Sequence, residues 1–272
     1  MMKAIVFTNA RLQWPIESSM PLKAAKVNAA DTALKSEPPA SLERGKATLA
    51  SALVDRLREE VLTGALLPGQ PVRLDELRER YGVSLSPLRE AVARLGTEGL
   101  LQIEEQRGVR VAPVSAANLA EVVLLRAELE PLALRDAIRH ASDDWEARVT
   151  TALVMLTRQE TQDDGQHRVE RWERLHRQLH MTLLSTCTMP LLLHFCTMLN
   201  DRGDRYRRLF LADQAVDASV RREHAQIVEA SLNRQADAAC ALLRQHIERS
   251  AQYVYDAIER QRLRGADRPG KA

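Results

Sequence analysis

The sequence predicts a mostly α-helical protein in two parts: a small N-terminal unit of helices and a β-hairpin, then a longer antiparallel helical bundle. Three observations carry this expectation. Apolar residues recur at helical spacing from Lys46 onward. Gly82 separates two short amphipathic segments, and two brief extended runs follow them. Beyond Pro113 the helical pattern continues almost to the C-terminus, interrupted only at capping residues. At 272 residues the chain can form two domains, each with its own core. A composition of 45% hydrophobic, 28% charged and only 4% aromatic residues suits helices packed through aliphatic faces.

Residues 1–41 show no sustained period and end in the breaker-rich Ser36-Glu37-Pro38-Pro39-Ala40, so they read as a flexible tail; Met20 is a candidate start. Residues 42–114 form the first predicted domain. Leu49, Leu53, Leu57 and Val61 make one helical stripe that stops at Gly64, and Leu67-Pro68-Gly69 is a turn. A short helix over Leu74–Tyr81 closes at Gly82. Ser84 or Ser86 caps the next helix, which tolerates Pro87 in its first turn, buries Leu88, Val92 and Leu95, and ends at Gly99. Leu100–Glu104 and Val109–Ala112 flank Gln106-Arg107-Gly108 as a hairpin. The second domain, 115–264, holds about six helices: one capped by Ser115 through Arg139, one from Trp145 capped by Ser142, one opened by Pro190, and later helices near 217–232 and 236–262. Residues 265–272 are expected to fray as a tail.

Three cysteines, Cys187, Cys196 and Cys240, lie far apart without a CxxC, which argues against a disulfide framework or a thiolate zinc site. No apolar run approaches the length of a membrane span and no secretory signal stands out, so a cytoplasmic location is expected. The net charge of +2 is too small to indicate a nucleic-acid partner alone. Basic and acidic residues also balance over 45–114, so any DNA contact must come from charges segregated on one face.

Helix, short helix, tight turn, helix, hairpin is the order of a winged helix-turn-helix, in which the helix after the turn enters the major groove. The residues then placed on DNA are Ser84, Leu85, Ser86 and Arg89 at the start of that helix, with Arg107, Gly108 and Arg110 in the wing. The run from Leu67-Pro68-Gly69 through Gly82-Val83-Ser84, Pro87-Leu88-Arg89-Glu90-Ala91 and Glu98-Gly99-Leu100-Leu101 to Gln106-Arg107-Gly108 resembles the GntR family of bacterial regulators. The resemblance covers about residues 45–114. Many members of that family place an arginine that contacts DNA where Leu85 stands here. An arginine–guanine pair contributes roughly 1–3 kcal/mol of discrimination, so the departure implies a different operator preference.

Four histidines form a second pattern. His176 and His180, four apart, project from one face of a predicted helix, while His224 and His246 lie on two successive helices. Convergence in a bundle core would give four imidazoles, a donor set for a zinc-like ion; the alternative is polar faces and singly hydrogen-bonded core histidines. Residues 118–250 are similar to the FCD sensing domain of the FadR subfamily. The similarity is carried by Arg126-Ala127-Glu128-Leu129-Glu130-Pro131, His180 with Leu183 and Pro190, Glu223-His224-Ala225-Gln226-Ile227, and Ala239 through His246. That resemblance implies a divalent metal held by an Asp-x-x-x-His pair and two later histidines. His180, His224 and His246 match, and His176 replaces the aspartate, which favours zinc or nickel over manganese or magnesium. It further implies a small organic acid as effector, with Arg126 at the family's effector-binding arginine. Asp144-Trp145-Glu146 and Ser84-Leu85-Ser86 are similar to dicarboxylate-responsive members. Arg202, Arg205, Arg207 and Arg208 are further anion candidates, although an arginine-rich helix is more often a solvated face.

The expected function is therefore a DNA-binding regulator, a repressor by the commoner sense of the family. Acting as a homodimer on a palindromic operator, it would be released when a carboxylate effector repositions the linker around Pro113–Asn118. Competing readings are a metal-free effector pocket, a purely oligomerising bundle, and a metal-dependent hydrolase. The last is disfavoured because Arg177 follows His176 where a zincin carries its general-base glutamate, and no nucleophile elbow or phosphate loop is present.

Overall fold

Leu53, Leu57 and Val61 recur every fourth residue, and the face they share is buried along α1 (Leu49–Leu62). The computed structural model describes residues 49–104, 108–161, 168–211 and 218–266. The tail expected over 1–41, the helix start at Lys46 and the wing-tip Arg107 lie outside the described residues. Leu49, the first residue of the predicted stripe, is exposed at the beginning of α1.

The chain continues through β1 (Pro71–Val72), α2 (Leu74–Tyr81), α3 (Leu85–Thr97), β2 (Leu101–Glu104) and β3 (Gly108–Val111). Gly82 ends α2 in the left-handed region at φ 64°, and its N–H donates to the Arg78 carbonyl. A side chain there would be strained, so glycine makes the corner cheap. Val83 packs partly buried against the core, and Ser84 is the N-cap of α3. Leu57, Leu88, Leu95 and Leu100 are fully buried side chains of one core shared by α1, α2, α3 and the sheet. Leu88→Ala is expected to destabilise this unit by about 2–5 kcal/mol, read as a lower urea midpoint; a loss under about 1 kcal/mol would contradict the packing.

The sheet is antiparallel with order β1-β3-β2, pairing Leu101 with Val111, Ile103 with Val109, and Pro71 with Arg110. Strand β1 was not expected. Two residues are too few to show a period, and Pro71 suits an edge strand because it has no N–H to donate to a ladder.

Six further helices follow among the described residues: α4 (Ala116–Arg139), α5 (Asp143–Thr161), α6 (Arg168–Leu183), α7 (Pro190–Leu211), α8 (Ala218–Leu232) and α9 (Ala236–Ala266). Ser115 caps α4, accepting the Asn118 N–H at 3.1 Å, and Ser142 accepts the Trp145 N–H at 3.3 Å at the start of α5. Buried Trp145 donates its indole N–H to the Thr182 carbonyl at 3.1 Å, tying α5 to the end of α6. Helix α4 packs on α7 and α9, while α5 packs on α6 and α8. These contacts enclose a second core that includes Leu134, Trp145, Leu179 and Leu243. Helix α9 runs beyond its expected end at 262 and carries Gly265 and Ala266; residues 267–272 lie outside the described residues. Among the described residues no helix is long and apolar enough to cross a membrane.

The expectation of a solvated arginine face on α7 is overturned. Asp201, Asp204, Arg205, Arg207 and Arg208 are all buried, because this helix lies between the bundle interior and the N-terminal unit. Most of its charges have found partners: Arg207 pairs with Glu173 and Asp204, Arg208 with Asp204 and Glu59 of α1, and Asp201 with Arg177 and Arg58.

Candidate functional site

At the start of α3, Ser84, Ser86 and Arg89 are exposed and Leu85 is half-buried. Ser84 has extended backbone as the N-cap, yet its hydroxyl makes no capping hydrogen bond. Its oxygen and the first amides of α3 are therefore uncommitted to the fold. On the same helix Arg94 pairs with Glu90, whereas Arg89 has no ion pair among the described residues. In the sheet beside α3, Gly108 begins β3 at φ 88°. Arg110 donates to the Gly69 carbonyl at 3.2 Å and lies 3.8 Å from Glu104, so it is partly held by its own fold. The predicted wing residue Arg107 lies outside the described residues.

The four histidines come from three helices: His176 and His180 from α6, His224 from α8 and His246 from α9. All are buried, and one nitrogen of each lies within 4.8 Å of the others. The Nε2 atoms of His176 and His180 are 3.1 Å apart. Trp172 stacks on His176 with ring centroids 4.6 Å apart.

His180, His224 and His246 each place Nδ1 toward a glutamate: His180 at 3.8 Å from Glu130, His224 at 4.0 Å from Glu160, and His246 at 2.9 Å from Glu223. Only the His246–Glu223 contact is a hydrogen bond, which fixes the Nδ1–H tautomer of His246 and leaves its Nε2 lone pair free to bind; Glu130 and Glu160 stand near the other two rings beyond hydrogen-bond distance. His176 differs. Its Nδ1 accepts from the Arg207 guanidinium at 3.3 Å, which puts its proton on Nε2, facing His180. Arg207 is itself set between Glu173 and Asp204. The group Glu173, His176 and Asp204 thus already has a resident cation, the guanidinium.

Electrostatics keeps the imidazoles neutral. Burial drives His176 and His224 well below the ordinary range, with Arg207 reinforcing it at His176 and His246 at His224. Burial also lowers His180, to about 4, against the opposing Glu130. Burial acts to raise Glu130, but Arg126 and His180 outweigh it and hold this carboxyl at about 2. Burial pushes Glu173 up to about 8, with Arg207 opposing and Asp204 adding to the rise. Neutral imidazole is the form that binds a metal.

Arg126 lies in the interior of the bundle. It is buried on α4, donates from Nε to Glu130 at 2.6 Å, and lies against Gly203 of α7, where a Cβ would come within 2.5 Å of its Nη1. Through Glu130 it backs the histidine pocket.

Residues 49–111 match the family described as bacterial regulatory proteins, gntR family, and residues 121–249 match the FCD domain. BphR of Paraburkholderia xenovorans, an HTH-type transcriptional regulator, is 32% identical over 209 residues, covering 76% of this chain and 85% of that protein. The chain belongs to the GntR family. A second relative of this GntR regulator is the HTH-type transcriptional repressor GlaR of Escherichia coli, 29% identical over 195 residues, covering 70% of this chain and 89% of the relative. The solved structure of Escherichia coli McbR/YncC superposes with a TM-score of 0.67 at 21% identity, over 78% of this chain and 99% of that one, which shows a shared fold. The family and these relatives are DNA-binding transcriptional regulators rather than enzymes, so the hydrolase reading is set aside.

Glu160 and Glu173 had no place in the sequence reading of the pocket, and Arg207 entered it only among the anion candidates. Glu173 precedes His176 by one helical turn and shares its face, a spacing that could have drawn attention to it. Glu160 and Arg207 reach the pocket only through the crossing of α5 and α7 with α6 and α8. No local pattern marks that.

Proposed function

We propose that this GntR regulator is a repressor that dimerises on a palindromic operator and is released by a small carboxylate, or dicarboxylate, bound beside a divalent metal in the FCD domain. The observation that carries the metal part is His224: buried, with neither ring nitrogen hydrogen-bonded, among three other imidazoles. An unpartnered buried polar ring is costly, and a bound ion would satisfy it. The donor set fits zinc or nickel: neutral nitrogen ligands, carboxylates behind three of them, and no carboxylate in the first ring of donors. His180, His224 and His246 would hold the ion, with His176 joining only by giving up the Arg207 hydrogen bond. Bound metal supplies an electrophilic anchor for a carboxylate oxygen. Arg126 holds Glu130 in place and adds positive charge behind the site. The homodimer reading draws on exposed apolar side chains at Leu125 and Leu132 of α4 and at Leu191 and Phe195 of α7.

A metal-free effector pocket has its own supporting observation. Arg207, His176 and His180 form a hydrogen-bonded chain without any ion, with the Glu130 carboxylate 3.8 Å from the far side of His180. The deciding experiment is operator affinity, by fluorescence anisotropy on DNA selected by the protein, titrated with C3–C6 mono- and dicarboxylates before and after chelation. The metal-anchored reading expects at least about a tenfold loss of operator affinity that needs both ion and acid. An equal response from chelated protein would replace it with the metal-free pocket.

A further inference from the structure

A cleft of about 900 Å³ separates the reading head from the bundle, away from the histidines. Part of its lining is apolar. Ile103 of β2 is 58% exposed there and lies over Gly96 of α3, with exposed Ala93 of α3 nearby. The rest includes two arginines of α7. Arg202 donates from Nε and Nη2 to the Glu98 carbonyl at 3.2 and 2.9 Å. It can do so because Gly99, at φ 70°, has no Cβ; one built there would collide with the guanidinium. Arg205 is 4% exposed and donates from Nη2 to the Ala112 carbonyl.

Neither arginine has a carboxylate partner among the described residues, in contrast to Arg207 and Arg208 on the same helix. The Nε of Arg205 is buried without any hydrogen-bond partner. Burial lowers the Arg205 pKa to about 10, with Tyr206 opposing and Arg202 adding to the fall. A buried cation beside a second cation, with no counter-charge, is an expensive arrangement for folding alone. Its complement is an anion.

We propose that this cleft is a second ligand site, separate from the histidine pocket, for a small organic carboxylate whose charged end meets Arg202 and Arg205 and whose apolar body rests on Ile103 and Ala93. Its walls come from α3, β2, the start of α4 and α7. An occupant therefore touches both the DNA-reading head and the bundle and sets the angle between them.

The test uses the full chain, stripped of metal with EDTA, and 2-naphthoate as a fluorescent probe. Wild-type protein is expected to bind 2-naphthoate, and Arg205→Met to bind it at least about tenfold more weakly. Ile103→Glu, at an exposed position on β2, is expected to weaken binding similarly by placing a like charge in the cleft. The uncharged 2-naphthalenemethanol should bind weakly and equally to all three. His224→Ala should bind 2-naphthoate as wild type does, so failure of the metal-anchored reading leaves this site standing. Equal 2-naphthoate affinity in wild type and both variants, or equally tight binding of the alcohol, overturns the proposal. Should Arg205→Met fail to fold, Ile103→Glu decides it.

Discussion

His224→Ala is expected to strip the protein of its metal while leaving the reading head folded. His224 is the one imidazole of the cluster with no hydrogen bond through either nitrogen, so its contribution to the fold without an ion is confined to packing. Its loss leaves His180 and His246 as the rings with carboxylate behind them, and His176 still bound to Arg207. Two ready donors do not make a tight zinc site, which needs at least three protein ligands. Metal content, measured by elemental mass spectrometry on tag-free protein, should fall from about one ion per chain to less than about a tenth of that. A thermal readout gives a second check. An ion present at 100 times its dissociation constant stabilises the folded state by about 2.7 kcal/mol, so wild type should melt higher with zinc than without it. The variant should show no such difference. Retention of a full complement of metal by His224→Ala would end the proposed site.

Arg89→Ala is expected to lose operator binding without losing stability. Arg89 is exposed near the start of α3, and its helical neighbour Glu90 is already paired with Arg94. Removing an exposed, unpaired side chain changes folding free energy by no more than about 0.5 kcal/mol. On DNA the same change should cost roughly 1–3 kcal/mol if the guanidinium meets a base edge, about five- to 150-fold in affinity. The dependence on salt separates two roles. A phosphate contact would lower the slope of log affinity against log salt by about 0.9, and a base contact would instead relax sequence preference at one position. An unchanged affinity, slope and preference would mean that α3 does not read DNA through this residue. Leu85, half-buried and uncharged, makes Arg89 the main cationic side chain at this end of the helix.

Legibility followed the range of the physical signal. Helix α3 and its turn could be read from the chain because the left-handed glycine at 82, the serine at 84 and the leucines at 88 and 95 act within a few residues of one another. The same holds for the Ser115 and Ser142 caps. Strand β1 escaped because two residues carry no period and its only support is pairing with β3. Helix α7 misled because charge patterning along one helix does not say what faces it. Its arginines are buried by elements far away in the chain, and Glu59, Glu173 and the Glu98 and Ala112 carbonyls receive them.

For the histidines the division is clearest. The sequence by itself determined that His176 and His180 share a helical face, since four residues make about one turn. It also determined the helical bundle that carries them and, by resemblance, the regulator family. Only the tertiary structure decided that α8 and α9 cross α6 where their own histidines meet that pair, that three glutamates stand behind three of the rings, and that Arg207 claims the fourth. The reason is geometric. Helical periodicity fixes which way a side chain points from its own axis, but the packing of whole helices fixes what it meets.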